Sequence, residues 1–223
     1  MNKYKYILFD LDGTITESGP GIMNAAKYAL KHYGIEENDI SKLKLFVGPP
    51  LDVSFMDRYG FDKEKASEAI AKFREYYNVT GIFENSVYEG MKQLLESLRS
   101  SGYKIAIASS KPQVMVHRVL EHFDIQNYFD VIVGCELDGR RSKKEEVIEE
   151  VLDQFGFKKG DDLSDMVMIG DRCYDMTGAV EFGMTGIGVL YGYGTRKELE
   201  ESGATIIAAT VDDLKNILLN QGI

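Results

Sequence analysis

The chain has 223 residues, 44% of them hydrophobic and 28% charged, an ordinary globular balance for one large domain or for a core with a smaller insert. The formal net charge of -10 argues against a nucleic-acid-binding surface, because neutralising a phosphate backbone takes a basic face. A small phosphate is still within reach of a local pocket of donors or a metal.

In chain order, Met1-Asn2-Lys3-Tyr4-Lys5 leads into the apolar run Tyr6-Ile7-Leu8-Phe9, which closes on Asp10. That run is too short for a signal peptide. The least charged stretch, residues 176–195, holds Glu181 and six glycines and is no membrane span. The interval from Gly21 to Phe83 reads as mostly helical: residues 22–33, 51–59 and 63–77, with no buried strand between them. It is far longer than a simple crossover needs, so an inserted helical subdomain is expected over residues 21–83, with residues 1–20 and 84–223 forming the core. Residues 86–102 carry Met91, Leu94, Leu95 and Leu98 at helical spacing, with Ser86 and Glu89 as a capping box and Gly102 as the stop.

Four more apolar runs follow. Ile105-Ala106-Ile107-Ala108 ends at Ser109, Val131-Ile132-Val133 at Gly134, Met166-Val167-Met168-Ile169 at Gly170-Asp171, and Ile187-Gly188-Val189-Leu190 near Tyr191. Continuous apolar runs of this length read as strands buried on both faces. Helical stripes alternate with them: Val114, Val119, Leu120 and Phe123, then Val147, Ile148, Val151, Leu152 and Phe155 before Gly156, then a start at Thr195 and Glu198. The fold class is therefore α/β, a Rossmann-like parallel sheet with helices on both faces, plus the helical insert. Cys135 and Cys173 form no Cys-x-x-Cys pair, so neither zinc nor a disulfide framework is indicated. Both read as small buried filler, and the cytosol is the expected compartment.

In an open parallel sheet, ligands bind beyond the carboxyl ends of the strands. Asp10, Ser109 and Asp171 each stand at such an end and share one crevice if their strands are neighbours. Asp10 and Asp12 alternate along extended chain, so both can face that crevice. Three carboxylates close together repel, by about 4 kcal/mol per pair at ~4 Å and an effective dielectric near 20. A hard divalent cation with oxygen ligands resolves the conflict, and Mg²⁺ suits a few carboxylates plus phosphate and water. A calcium loop is excluded, since it needs glycine where Ile15 stands and glutamate where Gly21 stands. Gly186, Gly188 and Gly192 lack nucleotide-loop spacing and read as strand-end packing. His32, His117 and His122 show no triad or metal spacing.

Asp10-Leu11-Asp12-Gly13-Thr14, Ser109, the pair Lys143-Lys144, and Gly170-Asp171-Arg172-Cys173-Tyr174-Asp175 resemble, in order, the four motifs of the haloacid dehalogenase superfamily of phosphatases. The likeness covers the whole chain. The insert resembles that superfamily's helical cap. Gly48-Pro49-Pro50-Leu51, with Gly139 and Arg140 before the lysines, resembles the phosphoglycolate phosphatase branch.

The resemblance implies roles. Asp10 attacks phosphorus and becomes an aspartyl-phosphate. Asp12 protonates the leaving oxygen, then activates water. The Asp10 carboxylate, the Asp12 backbone carbonyl and Asp171 hold Mg²⁺. Ser109 donates to a phosphate oxygen, with Ser110 beside it and help from the backbone amides after Asp10. Lys144, favoured over Lys143, neutralises charge on nucleophile and phosphate. Asp175 supports the metal waters or that lysine, and Arg172 stands behind the site. Lys111 reads as a surface charge.

Phosphate-monoester hydrolysis needs up to ~10²¹-fold acceleration, about 28 kcal/mol, and a general acid supplies only ~10²- to 10⁴-fold. Most of the barrier must therefore fall through positioning, charge neutralisation and a covalent intermediate. The implied reaction is hydrolysis of a small phosphorylated metabolite, with phosphoglycolate first and nucleoside monophosphates or pyrophosphate behind it. A phosphomutase is the alternative from another reaction class. A phospho-accepting signalling module is disfavoured by Asp12 and the large insert, and a dehalogenase by Asp12. The implied cap closes over the leaving group and sets specificity. Neither nucleic acid nor membrane is an expected partner, and oligomeric state is not legible.

Overall fold

A computed structural model describes residues 3–137 and 140–219. Gly139, one of the residues carrying the branch resemblance, lies outside them. The chain divides into two compact units, Met1–Thr16 with Val87–Ile223, and Glu17–Ser86.

The first unit is built on a six-stranded sheet. Its strands are β1 (Tyr6–Phe9), β2 (Lys104–Pro112), β3 (Val131–Cys135), β4 (Met166–Gly170), β5 (Thr185–Val189) and β6 (Ile206–Ala208), in the order β3-β2-β1-β4-β5-β6. Every pairing is parallel. Tyr6 aligns with both Lys104 and Met166, and Phe9 with both Ile107 and Ile169, so β1 is the central strand. The chain fills one side of β1 first, then returns to fill the other, which puts the reversal of strand order at β1 and β4.

Alternation divides the apolar runs between the two faces. Leu8, Ala106, Ala108, Val133 and Met168 pack with Val147, Ile148 and Val151 of α7 (Lys144–Phe155) and Ala179 of α8 (Cys173–Glu181). Ile7, Phe9, Ile105, Ile107, Val167 and Ile169 point the other way and are equally buried. Burying each Ile or Leu is worth about 1.5–3 kcal/mol, which is why these strands carry no alternating polar residues.

Helix α5 spans Met91–Ser100 and buries Met91, Leu94, Leu95 and Leu98 as the stripe requires, but it starts at Gly90 instead of at a Ser86–Glu89 box. Gly90 takes a left-handed conformation (φ 82°) and turns the chain into the helix there. In α6 (Gln113–His122) the buried stripe is Val116, Val119 and Leu120, while Val114 faces solvent. Thr195 caps α9 (Arg196–Glu201) as read, its side chain accepting from the Glu198 amide. The two cysteines are not buried filler. Cys135 ends β3 and Cys173 opens α8, and both are partly exposed because they sit where elements meet loops.

The second unit is helical: α1 (Gly19–His32), α2 (Ile40–Lys44), α3 (Leu51–Tyr59) and α4 (Lys63–Tyr77). Ala25, Ala26 and Ala29 of α1 and Ala66 and Ala69 of α4 are buried, and these small side chains let the two helices approach. Phe46, Phe55 and Phe61 form the aromatic centre, with Phe46–Phe55 centroids 5.0 Å apart and Phe55–Phe61 stacked at 5.8 Å. Asp62 caps α4 by accepting from the Lys65 amide at 2.8 Å. No described helix in either unit is long and apolar enough to cross a membrane.

Candidate active site

Asp10 follows β1, Ser109 lies near the end of β2, and Asp171 follows β4. Because β2 and β4 flank β1, the three residues meet beyond the same carboxyl edge. Asp10 is 8% exposed, Ser109 2% and Asp171 0%.

The hairpin-like turn after Asp10 is fixed by its own backbone. The Gly13 amide donates to the Thr16 carbonyl at 2.7 Å, and the Thr14, Ile15 and Thr16 amides all donate to the Leu11 carbonyl. Gly13 has φ 85°, and a Cβ there would stand 2.3 Å from Asp171 Oδ2, so only glycine lets the turn lie against that carboxylate.

Lys144, the first residue of α7, reaches into the crevice. Its Nζ donates to Asp10 Oδ1 at 2.7 Å and to the Ala108 carbonyl at 2.8 Å, and pairs with Asp175 Oδ1 at 2.8 Å. Lys143 caps the helix through its backbone amide, which donates to Glu146, and its side chain is exposed. Asp175 accepts the Arg172 amide on Oδ2 at 3.0 Å, the usual place for an acid in a helix's first turn.

Asp171 is held from two sides. The Thr14 hydroxyl donates to Oδ1 at 3.3 Å and the Tyr193 amide to Oδ2 at 2.8 Å. Gly192 is more than strand-end packing, since a Cβ there would lie 2.4 Å from the Asp171 Cβ. Gly186 and Gly188 do pack within β5, facing Met176 and Leu199.

Asp10, Asp171 and Asp175 each offer a carboxylate oxygen within 4.8 Å of the others. The Asp12 side chain stands outside that trio. Both its oxygens accept from Lys111 Nζ, at 3.1 and 3.0 Å. Lys111 is thus no surface charge: it is 8% exposed, because residues 109–111 bulge from β2 between the Ala108–Val133 and Pro112–Cys135 pairings. The bulge carries Lys111 to the crevice beside Ser109, and apolar patterning of the sequence does not record it. Ser109 Oγ accepts the Lys111 amide at 3.3 Å, and Ser110 between them is half-buried. Arg172 sends its Nε to Glu198 of α9 at 2.8 Å and so braces the start of α8.

Electrostatically the site is strained. Burial, with the Asp175 and Asp12 charges adding and Lys144 opposing, pushes the Asp10 carboxyl up to about 6. Burial first, then Asp175 and Asp10, raises Asp171 well above the usual carboxylate range. Burial disfavours the Lys144 ammonium, but Asp10 and Asp175 outweigh it and hold its pKa above the ordinary value. Three close buried carboxylates facing one lysine form an oxygen-only donor set short of positive charge. That donor set fits a hard divalent cation.

A parallel α/β sheet with an acid–lysine crevice at its switch point defines the class: a hydrolase with a Rossmann-like core. Residues 7–189 match the family of haloacid dehalogenase-like hydrolases, and the chain belongs to that family. It is 42% identical over 216 residues to a 5'-nucleotidase of Pseudomonas aeruginosa, covering 97% of this chain and 96% of that one. It is 36% identical over 217 residues to the tyrosine-protein kinase PtkA of Mycobacterium tuberculosis, covering 95% of this chain and 72% of the relative. A phosphoglycolate phosphatase of Aliivibrio fischeri is 24% identical, covering 96% and 95% of the two chains. Among solved structures, a predicted phosphatase of Clostridium acetobutylicum superposes with a TM-score of 0.90 at 46% identity, covering 97% of this chain and 99% of that one.

Proposed function

We propose that the chain is a divalent-cation-dependent phosphatase that hydrolyses small phosphate monoesters through an aspartyl-phosphate on Asp10. The observation that carries this reading is the buried Asp10 carboxylate, tied to Lys144 and clustered with Asp171 and Asp175.

Lys144 fixes one Asp10 oxygen and balances charge beside it. An Asp10 oxygen bonds to phosphorus while the ester P–O bond breaks, and Asp12 gives its proton to the departing oxygen. Water then attacks phosphorus, its proton passes to Asp12, and the bond to Asp10 breaks to release phosphate. The Ser109 hydroxyl, at the end of the adjacent strand, orients a phosphate oxygen. Asp10, Asp171 and the Asp12 carbonyl would hold Mg²⁺, with Asp175 behind them, and the bound cation supplies charge neutralisation at the phosphate.

Five-prime nucleotides are the first substrates to test, ahead of phosphoglycolate, because the nucleotidase relative is much the more similar of the two. Transfer to a tyrosine hydroxyl is a second reading, favoured by the mycobacterial relative. Free phosphate released without any acceptor separates hydrolysis from it.

The test is Mg²⁺-dependent release of p-nitrophenol from its phosphate ester. Asp10→Asn is expected to abolish it, and near-normal turnover in that variant would overturn the nucleophile. Excess EDTA is expected to stop the wild type, and full activity in EDTA would remove the metal from the reading.

A further inference from the structure

Among the described residues, Asp10 and Asp12 pair with different lysines. Lys144 serves Asp10 and Asp175, while Lys111, from the neighbouring strand, takes both oxygens of Asp12. The Lys111 side chain is 4% exposed and that of Asp12 is 16% exposed. A lysine held that far from water loses hydration that its partners must return, so its burial needs a compensating arrangement. The β2 bulge places the lysine against Asp12, which supplies the countercharge. It carries Ser109 and Lys111 together, and the Ser109 hydroxyl oxygen anchors the Lys111 amide. Gln113, just beyond, clamps β3 by donating to the Ile132 carbonyl at 2.9 Å and accepting the Gly134 amide at 2.5 Å. The lysine stem therefore rises from fixed backbone.

We propose that Lys111 is the positioning residue for Asp12. It fixes the carboxylate's rotation so that one oxygen can take the proton of the water that clears phosphate from Asp10. This rests on the phosphatase reading above. Contact with both carboxylate oxygens is what fixes rotation, because a single contact leaves the group free to turn about it. In the step served, the water oxygen bonds to phosphorus. The phosphorus–Asp10 bond breaks with its electron pair returning to Asp10, and the water proton goes to Asp12. Misplacing a reacting group by about 1 Å costs on the order of 10²-fold, and a whole general base contributes about 10²- to 10⁴-fold.

The experiment uses the full chain with Mg²⁺ and p-nitrophenyl phosphate, whose leaving group departs with little proton help. In Lys111→Met, kcat is expected to fall by roughly 10- to 100-fold and KM to fall with it, leaving kcat/KM nearly unchanged. The p-nitrophenol burst should survive, and a phosphoryl adduct on the acid-quenched protein should accumulate by intact mass. Lys111→Arg should restore much of kcat. A merely structural role would lower burst and turnover together and trap no adduct. Lys111→Gln carries the same test if Lys111→Met does not fold.

Asp12→Asn is the reference. Adduct in Asp12→Asn but wild-type turnover in the Lys111 variants overturns the positioning role alone. A raised KM with unchanged kcat also overturns it and makes Lys111 a substrate ligand. No adduct in any variant, with p-nitrophenol still released, removes the Asp10 intermediate itself.

Discussion

The α/β unit and the helical unit treat charge in opposite ways. In the α/β unit, Asp10, Asp171, Asp175, Lys111 and Lys144 are buried together at one edge of the sheet. In the helical unit, the core is alanine and aromatic, and pairs such as Lys72–Glu75 lie toward solvent. Among the described residues, the cluster of three carboxylates that could hold a cation falls in the α/β unit. The difference separates two uses of stability. The helices spend apolar burial on holding themselves together. The sheet, with far more apolar contact behind it, tolerates a crevice whose charges repel. That tolerance is what chemistry at phosphorus requires, because fixed charges away from water act strongly and need no reorganisation.

The contrast is broken most directly at Lys144. Lys144→Met leaves Asp10 and Asp175 without their shared cation. We expect at least a ~10²-fold loss of turnover, with destabilisation of about 3–5 kcal/mol in the metal-free protein by denaturant titration. Turnover within a few-fold of wild type would deny the lysine its role. In the helical unit, Phe55→Ala should cost about 3–5 kcal/mol through a cavity beside Phe46 and Phe61. A much smaller loss would show that this core is loosely packed.

A pH series sharpens the comparison further. Asp10 has a folded-state pKa raised from 3.8 to about 6, so between those values the folded chain binds more protons than the unfolded one. The Asp10 carboxyl therefore disfavours the fold at neutral pH and stops doing so as pH falls through about 6 toward 4. Without metal, the stability of Asp10→Asn relative to wild type should be greatest above pH 6 and fade toward pH 4. A difference independent of pH would contradict the strain. The smallest effect is expected at the surface of the helices, where Lys72→Ala should leave the melting temperature unchanged within error.

Legibility in the sequence followed the same division. The strands ending at Asp10, Ser109 and Asp171 were readable because both faces are buried and the runs are continuously apolar. Helices Leu51–Tyr59 and Lys63–Tyr77 were readable because Gly60 stops one and Asp62 starts the other. The helix Ile40–Lys44 and the strand Ile206–Ala208 were missed, since each is too short to show a period. Lys111 was misread for a different reason. The apolar run stops at Ala108, yet the strand continues to Pro112 through a bulge that apolar patterning does not record. Asp175 was read as support for the site, and its place among three close carboxylates depends on Lys144 drawing it inward, a contact between residues far apart in sequence.

The central place of β1 also bears on the chain's synthesis. Tyr6 pairs with Lys104 on one side and Met166 on the other, so Asp10 is made long before either strand that flanks it. Closing such long loops is slow, and the pairing cannot begin until the later segments exist. A nascent chain that has emerged only as far as β3 carries Asp10 without Lys144, Asp171 or Asp175. The order of the strands therefore leaves the carboxylate crevice incomplete until most of the protein has been translated.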